Sequence, residues 1–489
     1  MKIQEHFTSR WGLILATLGM AVGTGNIWRF PRVAATNGGG SFLVAWLVFL
    51  LLWSVPLLIV EFGFGKTSRQ GVVASFLKLG GRGMTWMGGW VALCATFIMF
   101  YYSVVAGWCL RYLWASLSGE FGHSSSLELW RGYSESSAAL ATHLLAMGLA
   151  ATVVWFGVKG IERVAKVIIP TLFVLVVILA IRAVTLPGAV AGLEFLFTPD
   201  WSELAQPQLW LEALTQNAWD TGAGWGLVVT YAIYMRAKED VSLNAFLIGF
   251  GNNSVSLLAG IMVLCTVFAL NPGASSEIVG AGNEGLTFIW MPQLFQQMPL
   301  GGFFMILFFL ALSFAALTSQ ISLLELATRV LIDLGLKRKL ALVAAAGAGA
   351  FFGAFSALDM DVFANQDWVW GVGLMLSGFF FSLAALRFGL EKLRKEVVNG
   401  EGCDLPIGRW WTFLVGILIP LEAVTLMVWW LYKAKGWDPE GWLNPFNATS
   451  AGTVIAQWAV VLILLGILNR WLVKRLSGRP SGRLAEEKP

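Results

Sequence analysis

Twelve long apolar stretches follow one another along this 489-residue chain, and they constrain its fold more than any other feature. A helix needs about 20 mostly apolar residues to cross a lipid bilayer. Charged residues make up only 13% of the chain, whereas a soluble domain holds about 25%. The sequence therefore predicts an all-α polytopic membrane protein with twelve transmembrane helices, near residues 11–33, 41–63, 86–117, 138–157, 162–185, 209–234, 242–270, 299–332, 339–358, 366–390, 410–432 and 452–474.

Charged residues between the spans predict the orientation of the chain. Cytoplasmic loops of membrane proteins carry an excess of lysine and arginine. Basic residues gather in every second loop, as at Lys337, Arg338 and Lys339, whereas acidic residues such as Glu120 and Asp200 occupy the others. The alternation predicts an even number of spans with both termini in the cytoplasm. The expected location is the plasma membrane, or the inner membrane in a bacterium.

Spans 1 and 6 contain glycines and polar residues where a membrane helix is normally continuous. Span 1 contains LGMAVGTGNIWRFP, which includes Asn26, and span 6 contains QNAWDTGAGWGLVV, which includes Asp220. Close packing of helices would explain the glycines, but a buried amide and a buried carboxylate are costly in a bilayer and indicate function. Freed carbonyls suit Na⁺, and half-helix N-termini suit a carboxylate. We therefore expect a central binding site between two broken helices.

Each broken span opens a block of five spans, which predicts an inverted repeat. The expected division has a cytoplasmic N-terminal segment at 1–10, a first five-helix repeat at 11–185 and a second, inverted repeat at 209–390. Two additional helices at 410–474 and a cytoplasmic tail at 475–489 complete the chain.

Other classes of function find little support in the residues. The chain has three histidines, His6, His123 and His143, without an HExxH pattern, and it has no nucleotide-binding loop. These features argue against a membrane enzyme and an ATP-driven pump. The four cysteines lack metal-ligand spacing, and the net charge of +4 indicates no nucleic acid partner. An ion channel is a remote alternative, because channels repeat filter elements by subunit symmetry and the two breaks here differ.

The motif VGTGNIWRFP followed by NGGGSFL resembles that of the neurotransmitter:sodium symporter family, which includes the bacterial leucine transporter. YYS in span 3, GIERVAKVIIPTLF in span 5 and ALTSQIS in span 8 extend the resemblance. It implies two inverted five-helix repeats with two further helices, and Na⁺-coupled uptake of amino acids, amines or related osmolytes by alternating access. The expected partners are a small-molecule substrate, two co-transported Na⁺ ions and the bilayer, with the protein a monomer or weak homodimer.

The resemblance implies two sodium sites. Site one would use spans 1, 6 and 7, through Ala21, Asn26, Asp220 and Asn252. Site two would use spans 1 and 8, through Gly19, Val22, Ala315, Thr318 and Ser319. Hydrogen bonding back to their own helix is the alternative role for the two span 8 hydroxyls.

The implied substrate pocket draws on four spans. Its residues would be Met20, Gly23, Thr24, Gly25, Ile98, Tyr102, Trp219, Gly222, Trp225, Ser319 and Leu323. Tyr102 would hydrogen-bond a substrate carboxylate, and Gly25 would offer its amide. Gly23 stands where aromatic amine transporters of the family carry an aspartate, so an amino acid is the expected substrate. Its size stays open, since a glycine in span 6 removes bulk while Trp219 and Trp225 add it.

Asp220 departs from the family pattern, which has serine or threonine at this position. In chloride-dependent relatives that hydroxyl holds the anion together with a tyrosine, a glutamine and a serine. This chain keeps Gln216 and Ser256 but has Trp46 in place of the tyrosine. The first hypothesis is that Asp220 supplies the negative charge that chloride supplies elsewhere. The second is that it replaces the substrate carboxylate, which would allow an amine or another solute without one.

The outer gate implied by the resemblance is a pair of charges, Arg29 and Asp367, above a thinner lid of Tyr102 and Trp219. In the family this pair closes the outer vestibule. The alternative for Arg29 is that its side chain only extends to the membrane interface.

The inner gate departs from the family pattern. Asp333 matches the gate carboxylate, but the position of its usual arginine partner holds Gln4, and Lys2 is a candidate replacement. Phe7 stands where a tryptophan is common. Glu61 matches a buried carboxylate with a structural or coupling role. We therefore expect an inner gate that is weaker or differently connected.

Overall fold

The computed structural model describes residues 6–477, and the regular elements within them are all helical. Ten helices are long and apolar enough to cross a membrane, and two helices bent by 53° at a short break form an eleventh span. Helices Pro207–Asp220 and Leu227–Ala232 occupy the predicted position of span 6, the twelfth span. The predicted all-α architecture with twelve membrane helices is confirmed. The division into two inverted repeats stays a prediction.

The spans lie close to their predicted positions. Span 1 comprises Arg10–Ala21 and Gly25–Thr36, and the uninterrupted spans 2 to 5 and 7 to 12 are Gly40–Ser68, Arg82–Ser118, Ser137–Trp155, Gly157–Val184, Val241–Leu270, Gly301–Leu334, Arg338–Leu358, Met360–Phe388, Trp410–Gly436 and Ala451–Ser477. Span 10 begins several residues before its expected start because Asp359 caps it. The Asp359 carboxylate accepts from the amides of Asp361 and Val362 at 2.8 and 3.2 Å.

Three glycines explain the interruption of span 6. Gly222, Gly224 and Gly226 have φ angles of +69°, +88° and +77°, a region that residues with a side chain rarely adopt. A Cβ at Gly224 would also lie 2.8 Å from the Cα of Gly378 in span 10. The break therefore needs glycine both for its backbone angles and for its close contact with the neighbouring span.

The interruption of span 1 has a different form. Helix Arg10–Ala21 ends at Val22, whose backbone is extended with φ −73° and ψ 103°. The chain resumes as one π-helical turn, Gly25–Arg29, followed by Phe30–Thr36. The first half of span 1 packs against spans 5, 7 and 8, and the second half of span 6 packs against span 2. Both breaks consequently lie inside the bundle.

Short helices between the spans were not predicted. They include Ser126–Tyr133, Ala189–Phe197, Ser275–Gly280 and Met291–Gln296. The first one begins with a capping box, in which the Ser125 hydroxyl accepts from Glu128 N and the Glu128 carboxylate accepts from Ser125 N. That signal was present in the sequence as SSLE.

Candidate functional site

A cavity of about 480 Å³ lies between the two breaks. All eleven residues that we expected to bind the substrate line it, together with Ala21, Asn26, Gln216 and Asp220. The wall also includes residues of spans 10 and 11 that the sequence analysis did not select, such as Trp430. The structure brings the predicted residues together in one place, and their role in substrate binding stays a prediction.

Asn26 holds the break in span 1 together. Its Oδ1 accepts a hydrogen bond from Gly23 N at 2.7 Å, which gives one freed amide a partner. Its Nδ2 donates to Asn252 Oδ1 at 2.9 Å and to Ser256 Oγ at 2.7 Å, both in span 7. Because the Gly23 amide can only donate, Asn26 cannot be turned around without losing this bond. The orientation of Asn26 is thus fixed by the backbone that it supports.

The amide of Asn252 faces the carbonyl oxygens of Ala21 and Asp220, at 3.1 and 3.2 Å. Turning this amide over would let its nitrogen donate to both carbonyls, but the nitrogen would then face Asn26 Nδ2, which is itself a donor. With Asn26 fixed, the Asn252 oxygen points toward the two carbonyls. Three oxygen atoms then converge without a hydrogen between them, an arrangement that a bound cation stabilises.

Asp220 ends the first half of span 6 and contributes a carboxylate to the same region. Its Oδ2 accepts from Ser256 Oγ at 2.6 Å. Its Oδ1 has no hydrogen-bond partner of ordinary geometry, although the side chain of Gln216 lies close enough to interact with the carboxylate. Ser256 therefore joins the two breaks, since it accepts from Asn26 and donates to Asp220.

The second predicted sodium site lies where span 8 passes span 1. The Thr318 hydroxyl donates to carbonyls of its own helix, at 2.9 Å and, for Ala315 O, 3.1 Å. Ser319 Oγ lies 3.5 Å from Val22 O, and a Cβ at Gly19 would lie 3.4 Å from Thr318 Cβ. A hydroxyl that donates its proton backward keeps its lone pairs, so this back-bonding is compatible with cation binding.

The pocket walls combine polar groups with apolar side chains. The Tyr102 hydroxyl accepts from Thr24 N at 3.2 Å. A Cβ at Gly23 would lie 3.0 Å from that hydroxyl and 2.9 Å from Ser319 Oγ, so a side chain there would displace both groups. Trp219 and Trp225 meet edge to face with centroids 6.2 Å apart. The remaining predicted residues of the wall are mainly apolar, among them Met20, Ile98 and Leu323.

Glu61 supports the break in span 6. Its side chain is fully buried, Oε1 accepts from Gly224 N at 2.6 Å, and Oε2 accepts from Val229 N at 3.4 Å. Unwinding leaves these amides without helical partners, and a carboxylate is a strong acceptor for them. The carboxylate thus replaces hydrogen bonds that the interrupted helix has lost.

In the wall of the cavity, the Arg29 guanidinium lies over the ring of Trp219, 4.7 Å from its centroid. Asp367 lines the same cavity, and within the described part of the chain it forms no direct ion pair with Arg29. Arg32 Nε donates to Asn283 Oδ1 at 2.8 Å and ties span 1 to the segment between spans 7 and 8. The two predicted gate residues therefore line the same cavity without a direct ion pair between them, and their role as a gate stays a prediction.

Asp333, the predicted inner-gate carboxylate, is held by its own helix and by the segment that follows span 2. Arg329 forms an ion pair with it at 3.0 Å, and Gly71 N donates to it at 2.6 Å. Phe7 is buried and packs edge to face on Tyr231 and Tyr234. Gln4, at the position of the usual arginine partner, and Lys2, the candidate replacement, lie outside the described residues.

Two charge networks on this side were missed by the sequence analysis. In one, Glu325 accepts from Tyr234 and pairs with Arg338, both contacts being 2.7 to 2.8 Å. In the other, Arg10 joins Glu239 at 2.9 Å and Asp404 at 2.7 Å. The first had a signal, because Glu325 is an acid inside an apolar stretch. The second had none, because its partners are far apart in the chain.

Comparisons with known proteins agree with this architecture. The model of the Sodium:neurotransmitter symporter family matches residues 4–137 and 119–474. An uncharacterized sodium-dependent transporter of Methanocaldococcus jannaschii is 32% identical over 86% of this chain and 88% of its own length. The uncharacterized sodium-dependent transporter YhdH of Bacillus subtilis is also 32% identical, over 86% of this chain and 97% of its own length. The sodium-dependent serotonin transporter of Drosophila melanogaster is 25% identical over 98% of this chain.

A solved structure shares the fold. The crystal structure of MhsT in complex with L-phenylalanine superimposes with a TM-score of 0.77 at 31% identity, over 87% of this chain and 99% of that one. The family model matches most of the chain, two relatives exceed 30% identity, and a solved structure shares the fold. The chain belongs to the sodium:neurotransmitter symporter family and is a sodium-dependent symporter of the membrane.

Proposed function

We propose that this symporter takes up a small amino acid or amino-acid-like solute together with Na⁺, by alternating access and without chloride. The observation that carries the proposal is the group of oxygens from Ala21, Asn252 and Asp220 beside the central cavity. Their convergence supports a sodium site in contact with the substrate pocket. A second sodium ion at Gly19, Val22, Ala315, Thr318 and Ser319 is part of the same proposal.

Two sodium ions would supply the energy for accumulation. Moving one positive charge through 100 mV is worth about 2.3 kcal/mol. Two ions would provide about 4.6 kcal/mol, and each 1.4 kcal/mol corresponds to about tenfold accumulation of a neutral substrate. Shared contacts would make the coupling reciprocal, so that Na⁺ and substrate each raise the affinity for the other.

An amino acid suits the chemistry of the pocket. The Tyr102 hydroxyl and the backbone of Gly25 lie at its polar side and would bind the carboxylate, while apolar residues such as Ile98 and Leu323 would contact the side chain. MhsT, which shares this fold, was crystallised with L-phenylalanine. The same class of ligand is therefore our first candidate here.

Independence of chloride rests on Asp220. Its carboxylate accepts from Ser256 and faces Gln216, the two residues retained from the chloride site of relatives. Trp46, at the third position, packs on Phe30 with ring centroids 4.5 Å apart. A fixed negative charge would balance Na⁺ here and make a bound anion unnecessary.

A solute without a carboxylate is the second candidate. A Cβ at Gly25 would lie 3.6 Å from Asp220 Oδ1, and this oxygen has no hydrogen-bond partner of ordinary geometry. A protein carboxylate beside the Gly25 backbone would occupy the place of the substrate carboxylate. An amine would then bind with Asp220 as its counter-ion.

The transport cycle that we propose moves spans 1, 2, 6 and 7 against spans 3, 4, 8 and 9, with the two inverted repeats as its structural basis. Arg29 and Asp367 would close the outer side, and Asp333 would belong to the inner gate. Both termini would lie in the cytoplasm of a cell whose plasma membrane, or bacterial inner membrane, holds the protein.

Thermal unfolding of the purified protein against a panel of amino acids and amines, in Na⁺ and in K⁺, tests the proposal. A ligand that binds the native state raises its apparent stability. We expect a rise in the unfolding temperature with one α-amino acid in Na⁺ only. A rise with amines alone would favour the second candidate, and equal effects in Na⁺ and K⁺ would contradict both.

A further inference from the structure

A second cavity, of about 390 Å³, opens on the outside of the bundle between spans 4 and 9. Seven residues line this groove: Ala151, Thr152, Trp155, Phe156, Leu342, Val343 and Ala346. Trp155, Phe156 and Val343 are 47%, 67% and 58% exposed. The hydroxyl of Thr152 is satisfied by Gly148 O at 2.8 Å, so the groove offers an almost wholly apolar surface. It is wide enough to hold part of a hydrocarbon chain.

One lysine contacts the wall of this groove, and two more lie close to groove residues in the chain. Lys339 Nζ lies 5.1 Å from the ring centroid of Trp155, and Lys337 is exposed two residues before it. Lys159 is exposed three residues after Phe156. Aromatic rings beside lysines are typical of the level at which a membrane meets water. The groove therefore runs from the hydrocarbon region up to a positively charged edge.

The acidic groups near these lysines are already engaged. Glu162 pairs with Lys166 at 2.7 Å, and Glu325 pairs with Arg338 at 2.7 Å. Lys159, Lys337 and Lys339 form no ion pair with any acid in the range 6–477. The positive charge at the mouth is consequently available to an anion from outside the chain.

Arg338 fixes the shape of the groove. Its guanidinium points inward, where it donates to Val154 O at 3.1 Å as well as binding Glu325. This contact ties the first turn of span 9 to the last turn of span 4, beside Trp155. The two walls are held in place before any ligand arrives, so binding would not require the helices to rearrange.

We propose that this groove is a binding site for one anionic phospholipid, with an acyl chain between spans 4 and 9 and the headgroup phosphate at Lys337 and Lys339. Basic pockets between membrane helices recognise such headgroups, and each lysine near the surface adds about fivefold to the affinity. A zwitterionic lipid would bring its own positive charge toward the lysines. The proposal is independent of the transported substrate.

The test is a titration of the detergent-purified chain with phosphatidylglycerol, phosphatidylcholine or glycerol phosphate, read as the rise in unfolding temperature. We expect phosphatidylglycerol to act at a lower concentration than phosphatidylcholine, and glycerol phosphate to have no effect. K337Q/K339Q should raise the half-effective concentration of phosphatidylglycerol about thirtyfold. Lys474→Gln, which removes an exposed lysine from span 12 at the same membrane face, should leave it unchanged.

Filling the groove separates a bound lipid from a simple attraction between charges. Val343→Trp places bulk at an exposed position of the wall, and Ala346→Leu is a milder version of the same change. Both variants should bind phosphatidylglycerol more weakly than the wild-type protein. Na⁺-dependent stabilisation of each variant shows that it is folded. Equal effects of both phospholipids, an effect of glycerol phosphate alone, or unchanged binding by the filled variants would overturn the proposal.

Discussion

The breaks in spans 1 and 6 meet the same physical demand with different chemistry. Each frees backbone groups inside a membrane, where such groups need partners. In span 1 a neutral amide, Asn26, accepts from Gly23 N and reaches across to span 7. At the span 6 break a carboxylate from span 2, Glu61, does this work by accepting from Gly224 N. A second carboxylate, Asp220, accepts from the Ser256 hydroxyl instead of from the backbone.

The difference between the two breaks shows where this symporter places its negative charge. The span 1 break presents carbonyl oxygens and neutral amides, which suit a cation that must bind and leave. The span 6 break carries the negative charge, some of it used to hold the backbone and some facing the cavity. Ser256 connects the two, since it accepts from Asn26 at 2.7 Å and donates to Asp220 at 2.6 Å. Substitutions at each break can separate these roles.

The largest effect is expected from Glu61→Ala. It leaves two buried amides, Gly224 N and Val229 N, without an acceptor, at a cost of about 1–3 kcal/mol each. The yield of folded protein and the unfolding temperature should fall sharply. Both should fall less in Glu61→Gln, because glutamine keeps one acceptor oxygen. Glu396→Ala, at an exposed position, is the control. If Glu61→Ala is as stable as the wild-type protein, the span 6 break does not depend on this carboxylate.

Asp220→Asn removes the charge that faces the cavity but keeps the size of the side chain. Losing a charged hydrogen-bonding group costs about 1.5–3 kcal/mol, which corresponds to a rise of about tenfold or more in the Na⁺ concentration for half-maximal stabilisation. Glu212→Gln, on the same helix and also lining the cavity, is the matched control. If Glu212→Gln weakens Na⁺-dependent stabilisation more than Asp220→Asn does, the charge that matters for Na⁺ binding is not the one at the break.

Ser256→Ala tests the link between the breaks. The hydroxyl makes hydrogen bonds worth about 1 kcal/mol net, so we expect about a fivefold loss in Na⁺ affinity. The effect should be much smaller in the Asp220→Asn background, because the two residues act through one contact. Ser254→Ala changes an exposed serine of the same helix and should have no effect. If the effects of the two substitutions on Na⁺ affinity are strictly additive, the two breaks contribute to Na⁺ binding independently.

Arg29→Lys should have the smallest effect. It keeps the charge above Trp219 but loses the flat guanidinium that lies 4.7 Å from the ring centroid. The contact is worth about 0.5–2 kcal/mol in all, and lysine retains part of it, so substrate affinity should fall only about twofold. Equilibrium binding of the substrate found in the panel gives the measurement. A tenfold loss of substrate affinity would contradict this, because the contact would then matter as much as the charge at Asp220.

Long apolar stretches made the spans predictable, because about 20 apolar residues have few other uses. The motif in span 1 made the cavity lining predictable as well. Contacts between distant charged residues were not predictable. Arg10 and Asp404 are 394 positions apart, and nothing local in either segment indicates the pairing. Glu61 was recognised as a buried carboxylate, but its role depends on where Gly224 lies, which only the fold determines.

The most direct test of the account is the Na⁺ dependence of thermal unfolding with chloride replaced by gluconate. If Asp220 provides the negative charge at the span 6 break, the wild-type protein should reach half-maximal stabilisation at the same Na⁺ concentration in both anions. Asp220→Ser should need several times more Na⁺ in gluconate and recover in chloride. A wild-type response that weakens in gluconate and returns with chloride would contradict the central claim.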